Sequence, residues 1–350
     1  MMTMTFVALL SLALILGVSA EHTSQDNTTN VPSTNKSEPD WKRTINLITE
    51  NLNLTIRPLS ILGFLHLIIT YLCFNKLRNQ IHINLVCLCL AFLLCDVTIL
   101  TNIASKNSTE WCLVTAKVLH YLMLAAYTWL LALCYELFSS NVQSVWHGFN
   151  WSKMILFSAL SWGIPAVLVT ALHFLDVTDT VAIGYGRKYD NCWLKLAYPR
   201  MAVYSGPILF ILVTSLIGLT WLVRKMKQQK KKASSVIKLN NADMRNFIGR
   251  CLSLIVFLLI TEFFGFLVTL NQTGLSFGPK ETNDIVYAFL RIIYIFLQTG
   301  RGLYLWVMFL ISYRKVRDLF KDDLSKSDAY DIDLPQITLG ASIETVNTIV

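Results

Sequence analysis

Charge is scarce in this chain. Of its 350 residues only 15% are Asp, Glu, Lys or Arg, while 54% are hydrophobic. A soluble domain carries about a quarter charged residues, so the deficit points to a membrane protein. Cysteine is absent from residues 21–55, which excludes a disulfide-stapled ectodomain in that stretch. Also lacking are a His/Cys/Asp/Glu cluster at metal-ligand spacing, a Gly-rich phosphate loop and a nucleophile spaced with a base. No metal, cofactor or catalytic activity is expected on those grounds. Strict apolar–polar alternation over segments of about ten residues is missing, which argues against a membrane β-barrel. Internal repeats are missing too, which argues against a transporter.

What is present is a series of seven apolar runs, at 57–74, 81–104, 111–138, 152–175, 199–223, 246–270 and 284–311. Each is near or above the ~20 residues that cross ~30 Å of hydrocarbon. Because backbone polar groups must be satisfied inside lipid, the runs predict helices and an all-α seven-helix bundle.

Ahead of them, Phe6–Val18 is apolar and ends on the small residues Ser19 and Ala20. Residues 1–20 read as a signal peptide, although Met1–Thr5 carries no basic residue. Residues 21–56 are polar and aperiodic, with N-glycan sequons at Asn27, Asn35 and Asn53, so a flexible glycosylated tail is expected there. Asn107 begins a further outward-facing sequon close to the bilayer, as does Asn271. Residues 57–311 form the membrane domain. Residues 312–350 form a short amphipathic eighth helix and a cytoplasmic tail.

Basic residues orient the bundle. One set of loops holds Lys76, Arg78, Lys153, a run from Arg224 to Lys232, Lys238 and Arg245, and the tail adds Arg314, Lys315, Arg317 and Lys321. The opposite set holds Lys106, Arg187, Lys188, Lys195, Arg200 and Lys280. The richer set faces the cytoplasm, so the N-terminus is outside and the C-terminus inside a plasma-membrane protein. The net charge of +8 then reflects topology and contact with anionic lipid rather than nucleic acid. Asn150 begins a sequon on the cytoplasmic side and is expected to be bare. Of the eight cysteines, two fall at the oxidising side: Cys112, at the top of the third helix, and Cys192, in the loop after the fourth. They are the expected disulfide.

Rhodopsin-type signatures are missing. The third run ends Cys134-Tyr135-Glu136 with no Asp-Arg-Tyr, the seventh has no Asn-Pro-x-x-Tyr, and 284–311 contains no Lys for a retinal Schiff base. Six other pieces occur in order: "KLRNQIHINL" with His82 and Asn84, "YTWLLALCYELF" with Trp129, "SWGIP" with Trp162, "CWL" with Cys192 and Trp193, "YSGP", and "RKVRDLF". Together they resemble the secretin/adhesion class (family B) of G-protein-coupled receptors. The third-helix run and "KLRN" are similar to methuselah-like receptors, and the end of helix seven to adhesion receptors. The resemblance implies an unknown extracellular ligand and a heterotrimeric G protein as partners. Three positions depart from the class pattern: Leu133 where it has Glu, Glu262 beside Thr261 where it has Trp, and Arg301 before Gly302 where it has Gln. These departures leave a non-signalling decoy or scaffold as the alternative, with a transporter behind it.

Charges inside membrane helices are costly and are paired or functional. Asp96, Lys117, Glu262 and Arg291 fall in the outer half of their helices, which suggests the pairs Asp96–Lys117 and Glu262–Arg291. With His120 and Trp193 they are the candidate wall and floor of a ligand pocket. Arg301 falls in the inner half, with Glu136 and His82 as expected partners in an activation switch. Finally, Thr348-Ile349-Val350 matches a C-terminal ligand for a PDZ-domain partner.

Overall fold

Apolar runs of this length satisfy their backbone polar groups within one segment only as helices, and helices make up nearly the whole structure. The computed structural model describes residues 40–104, 109–142, 150–178, 183–188, 191–194, 196–230, 235–272, 280–311 and 316–318. The expected signal peptide, the sequons at Asn27, Asn35 and Asn107, and Thr348, Ile349 and Val350 lie outside these residues, as does most of the expected eighth helix.

The first span is Asp40–Cys73, the second Gln80–Ala104, the third Thr109–Val142 and the fourth Trp151–Val177. The fifth runs from a short turn of helix, Ala197–Arg200, through a π-helical turn, Met201–Ser205, into Gly206–Lys230. The sixth is Ser235–Gln272. The seventh starts as Lys280–Thr299 and resumes as Arg301–Trp306, with a π-helical turn at Val307–Ile311. Among the described residues six helices are long and apolar enough to cross a membrane, and seven when the pair bent by 45° at the break after Thr299 is taken as one span. The described residues up to Trp306 form one compact unit, and those from Val307 onward belong to a second.

Burial ranks the spans. In the third, 83% of the apolar window is buried, against 33% in the fourth, so the third is the axis of the bundle and the fourth lies at its edge. Ile155, Leu156, Ile164 and Val167 are exposed along the fourth span, where hydrocarbon is their natural solvent. The "KLRN" stretch makes the first turn between spans. Arg78 donates from Nε to the Leu72 carbonyl at 2.8 Å, capping the end of the first helix. Asn79 Oδ1 accepts the His82 amide at 2.9 Å. Asn150 caps the fourth span, accepting the amides of Ser152 and Lys153.

The first span starts well before the expected residue 57, so residues 40–56 of the expected flexible tail are helical. Pro58 explains the difference. The residue before a proline is biased away from helical backbone, so Arg57-Pro58 reads as a boundary. Here Pro58 sits inside the helix. The longer helix also corrects the expectation for Asn53. Its side-chain amide donates to the Thr49 carbonyl at 2.9 Å, and the residue is buried, so its nitrogen is not free to carry a glycan.

Candidate functional site

Between the fourth and fifth spans a two-stranded hairpin, Tyr185–Lys188 with Asn191–Leu194, pairs antiparallel with Gly186 opposite Trp193. Gly184 and Gly186 have φ of 68° and 143°, left-handed backbone that favours glycine. Asp176, at the end of the fourth span, accepts the amides of Ile183 and Gly184 at 2.9 and 3.1 Å and holds the approach to the hairpin. Cys192 is bonded to Cys112, closing 80 residues of separation. His120 adds a second tether. Its Nδ1 is 2.9 Å from the Tyr185 hydroxyl and its Nε2 is 3.3 Å from the Val203 carbonyl. Its ring also meets those of Trp193 and Tyr204. Removing the bridge with Cys112→Ala and Cys192→Ala together is expected to cost about 2–5 kcal/mol. Thermal unfolding of the purified variant checks this, and each single variant should lose as much as the pair.

Beneath the hairpin lies a network of buried charge. Asp96 on the second span accepts from Arg57 Nη1 at 2.6 Å, from Ser60 Oγ at 3.1 Å and from Arg301 Nη2 at 3.4 Å. Arg57 also donates through Nη2 to Asn53 Oδ1 at 2.6 Å. Arg301 donates through Nε to the Gln298 carbonyl at 2.9 Å and lies over the Phe92 ring at 4.6 Å. Ser60 Oγ in turn accepts the Gly302 amide at 2.8 Å. A second cluster centres on Glu262, whose Oε1 accepts from the hydroxyls of Tyr127 and Tyr204 at 2.7 and 3.4 Å. The two clusters tie together residues of six spans.

These partners differ from the expected ones. Asp96 pairs with Arg57 and Arg301, not Lys117. Lys117 lies six residues from Met123, whose sulfur touches Arg301, a rise of about 9 Å along the third helix. Glu262 turns towards the third and fifth spans. Arg291 instead donates to Asn46 Oδ1 at 3.0 Å, on the first. Arg301 meets neither Glu136 nor His82. Glu136 is more than three turns beyond Met123, about 20 Å, and pairs with Lys153 at 3.4 Å. His82 Nδ1 lies 2.9 Å from the Leu77 carbonyl, with the rings of Tyr71 and Phe247 edge-on to it. The expected switch residues therefore occupy separate places in the bundle.

A cavity of about 930 Å³, including space open to solvent, lies against the hairpin and the network. Of the expected pocket residues, Trp193 and Arg291 line it, whereas Asp96, Lys117, His120 and Glu262 do not. The sequence reading missed Arg57 and Arg200 as lining residues. Arg57 was obscured by Pro58. Arg200 entered only as a loop charge, yet it is 9% exposed at the head of the fifth span. One legible signal was the Asn53/Arg57 pair, four residues apart and so on one helix face.

Comparison with known proteins sets this arrangement in a lineage. The chain is 26% identical over 263 residues to Adhesion G-protein coupled receptor G2 of Mus musculus, covering 71% of this chain and 24% of that protein. It is 27% identical over 250 residues to Adhesion G-protein coupled receptor D1 of Homo sapiens, covering 71% of this chain and 26% of that one. It is 28% identical over 148 residues to Cadherin EGF LAG seven-pass G-type receptor 3 of Rattus norvegicus, covering 41% and 4%. The chain thus spans about a quarter of the length of the first of these relatives. Residues 52–302 match the model of the 7 transmembrane receptor (Secretin family). With seven apolar spans around a buried polar core and this match over most of its length, the chain belongs to the secretin family of seven-transmembrane receptors.

Proposed function

We propose that the chain acts at the plasma membrane as an adhesion-like receptor that passes an extracellular signal to a heterotrimeric G protein. Residues 1–20 serve as signal peptide, the N-terminus lies outside, and the cavity beside Trp193 opens to the extracellular side. The C-terminus lies in the cytoplasm, where Thr348-Ile349-Val350 is offered to a PDZ-domain partner. One observation carries the reading: Arg57 both lines the cavity and bonds Asp96, which Arg301 of the seventh span also reaches. A ligand that draws on Arg57 competes with that pair, so occupancy biases the packing of the first, second and seventh spans. The protein's role is allosteric, without catalysis.

A second reading, a seven-span binding protein that does not signal, draws on Leu133, Glu262 and Arg301. All three depart from the class pattern and all three are buried. A G-protein dissociation assay in cells, run across the G-protein families with surface expression measured in parallel, separates the two. Constitutive or ligand-evoked dissociation is expected. Silence at full surface expression would favour the non-signalling protein.

A further inference from the structure

The cavity is unbalanced in charge. Three arginines, Arg57, Arg200 and Arg291, line it, and among its described lining residues there is no carboxylate. Arg57 is ion-paired with Asp96 at 2.6 Å, a carboxylate it shares with Arg301. Arg291 has the uncharged Asn46 as its hydrogen-bond partner. Arg200 is the sharpest case. It is nine-tenths buried, and its Nε has no hydrogen-bond partner among the described residues. Among the side chains the structure describes, no carboxylate forms an ion pair with it. The Glu262 carboxylate is itself engaged by Tyr127 and Tyr204. A buried guanidinium without a paired anion is costly, and an anion seated in the cavity would offset that cost. The remaining wall includes Ile99, Leu119, Met123 and Val268, apolar surface suited to a hydrocarbon body.

We propose that the cavity binds a small amphiphile carrying one oxyanion, such as a carboxylate or sulfate, held by Arg200 and Arg291 with its apolar body against Ile99, Leu119 and Val268. The planar guanidinium fork matches such an oxyanion with two parallel hydrogen bonds. The proposal rests on reading this cavity as the ligand pocket, but it does not depend on G-protein coupling.

The test is direct binding to the full chain in phosphatidylcholine nanodiscs, read as the shift in thermal unfolding midpoint against ligand concentration. The probes are octyl sulfate, octanoate and octan-1-ol. Both anions are expected to raise the midpoint saturably and the alcohol is not. Arg200→Gln should weaken the apparent anion affinity roughly 10- to 100-fold, and Arg200→Lys should lose less. If Arg200→Gln does not fold, Arg291→Gln, at a half-buried position, carries the expectation of a roughly 10-fold loss. Discs doped with phosphatidylglycerol identify the source: an Arg200-dependent shift from that lipid alone supports anion recognition with a headgroup as ligand. The proposal is overturned if octan-1-ol stabilises as well as the anions, if no probe has a saturable effect, or if the arginine variants respond as the wild type does. Because binding is read without a G protein, its failure leaves the receptor reading standing. Silence in the dissociation assay with anion binding intact removes the receptor reading alone.

Discussion

Asp96→Asn is expected to cost about 3–5 kcal/mol and to remove most of the protein from the cell surface. Removing one partner of a buried ion pair leaves the other charge uncompensated, and here a single carboxylate serves two guanidiniums, Arg57 at 2.6 Å and Arg301 at 3.4 Å. The amide that replaces it cannot neutralise either one. Arg301→Gln should be the milder change, because it leaves the shorter Arg57–Asp96 pair intact. The double variant, Asp96→Asn with Arg301→Gln, should lose less than the sum of the two singles, since the second substitution removes a charge that the first left stranded. Surface delivery of a tagged receptor and the unfolding midpoint of purified protein both report this order. If Asp96→Asn is as stable as the wild type while Arg301→Gln is not, Asp96 is not the centre of the network.

Gly302→Val is the second substitution with a large expected effect. The first and seventh spans meet backbone to backbone at this point. A Cβ on Gly302 would overlap the carbonyl oxygen and the hydroxyl of Ser60. One on Gly63 would come within 3.0 Å of the Gly302 carbonyl. Small residues permit this close approach in membranes, where packing rather than water drives helix association. Overpacking a filled interface costs about 1–3 kcal/mol. This site should reach or pass the upper end, because the obstacle is main chain and the Gly302–Ser60 hydrogen bond is lost with it. Adding Ser60→Ala should not rescue Gly302→Val, since the carbonyl remains. Gly218→Ala, where nothing lies within 4 Å of the added atom, should fold as the wild type does. Recovery of surface expression in the Ser60→Ala, Gly302→Val pair would show that the collision is with the hydroxyl alone.

Both predictions concern residues that the sequence announced only in part. Asp96 and Arg301 stand out as charges in apolar runs, and Arg301-Gly302 as a departure from a class pattern. Their neighbours were not legible. Arg57 sits before Pro58 and so reads as a helix start, although four residues earlier Asn53 supplies the acceptor that makes a buried helical Arg57 tolerable. Tyr127 and Tyr204 look like two aromatics among many, and become significant only because Glu262 lies between them. Arg200 counts in the sequence as one of the basic residues on one side of the membrane, and in the structure as a buried lining residue of the cavity.

What the sequence by itself determined is the set of apolar spans, their helical character and the class they belong to. Hydropathy, span length and short ordered motifs are properties of the chain read in one dimension, and the bilayer leaves a run of twenty apolar residues little choice but helix. Only the tertiary structure decided which charge meets which. Each residue turns a helix by about a quarter of a circle and advances it by 1.5 Å, so small differences in rotation, depth and starting residue change every partner. That is why Asp96 faces Arg57 and Arg301 instead of Lys117, and why two of the cavity's arginines have no carboxylate beside them among its described lining residues.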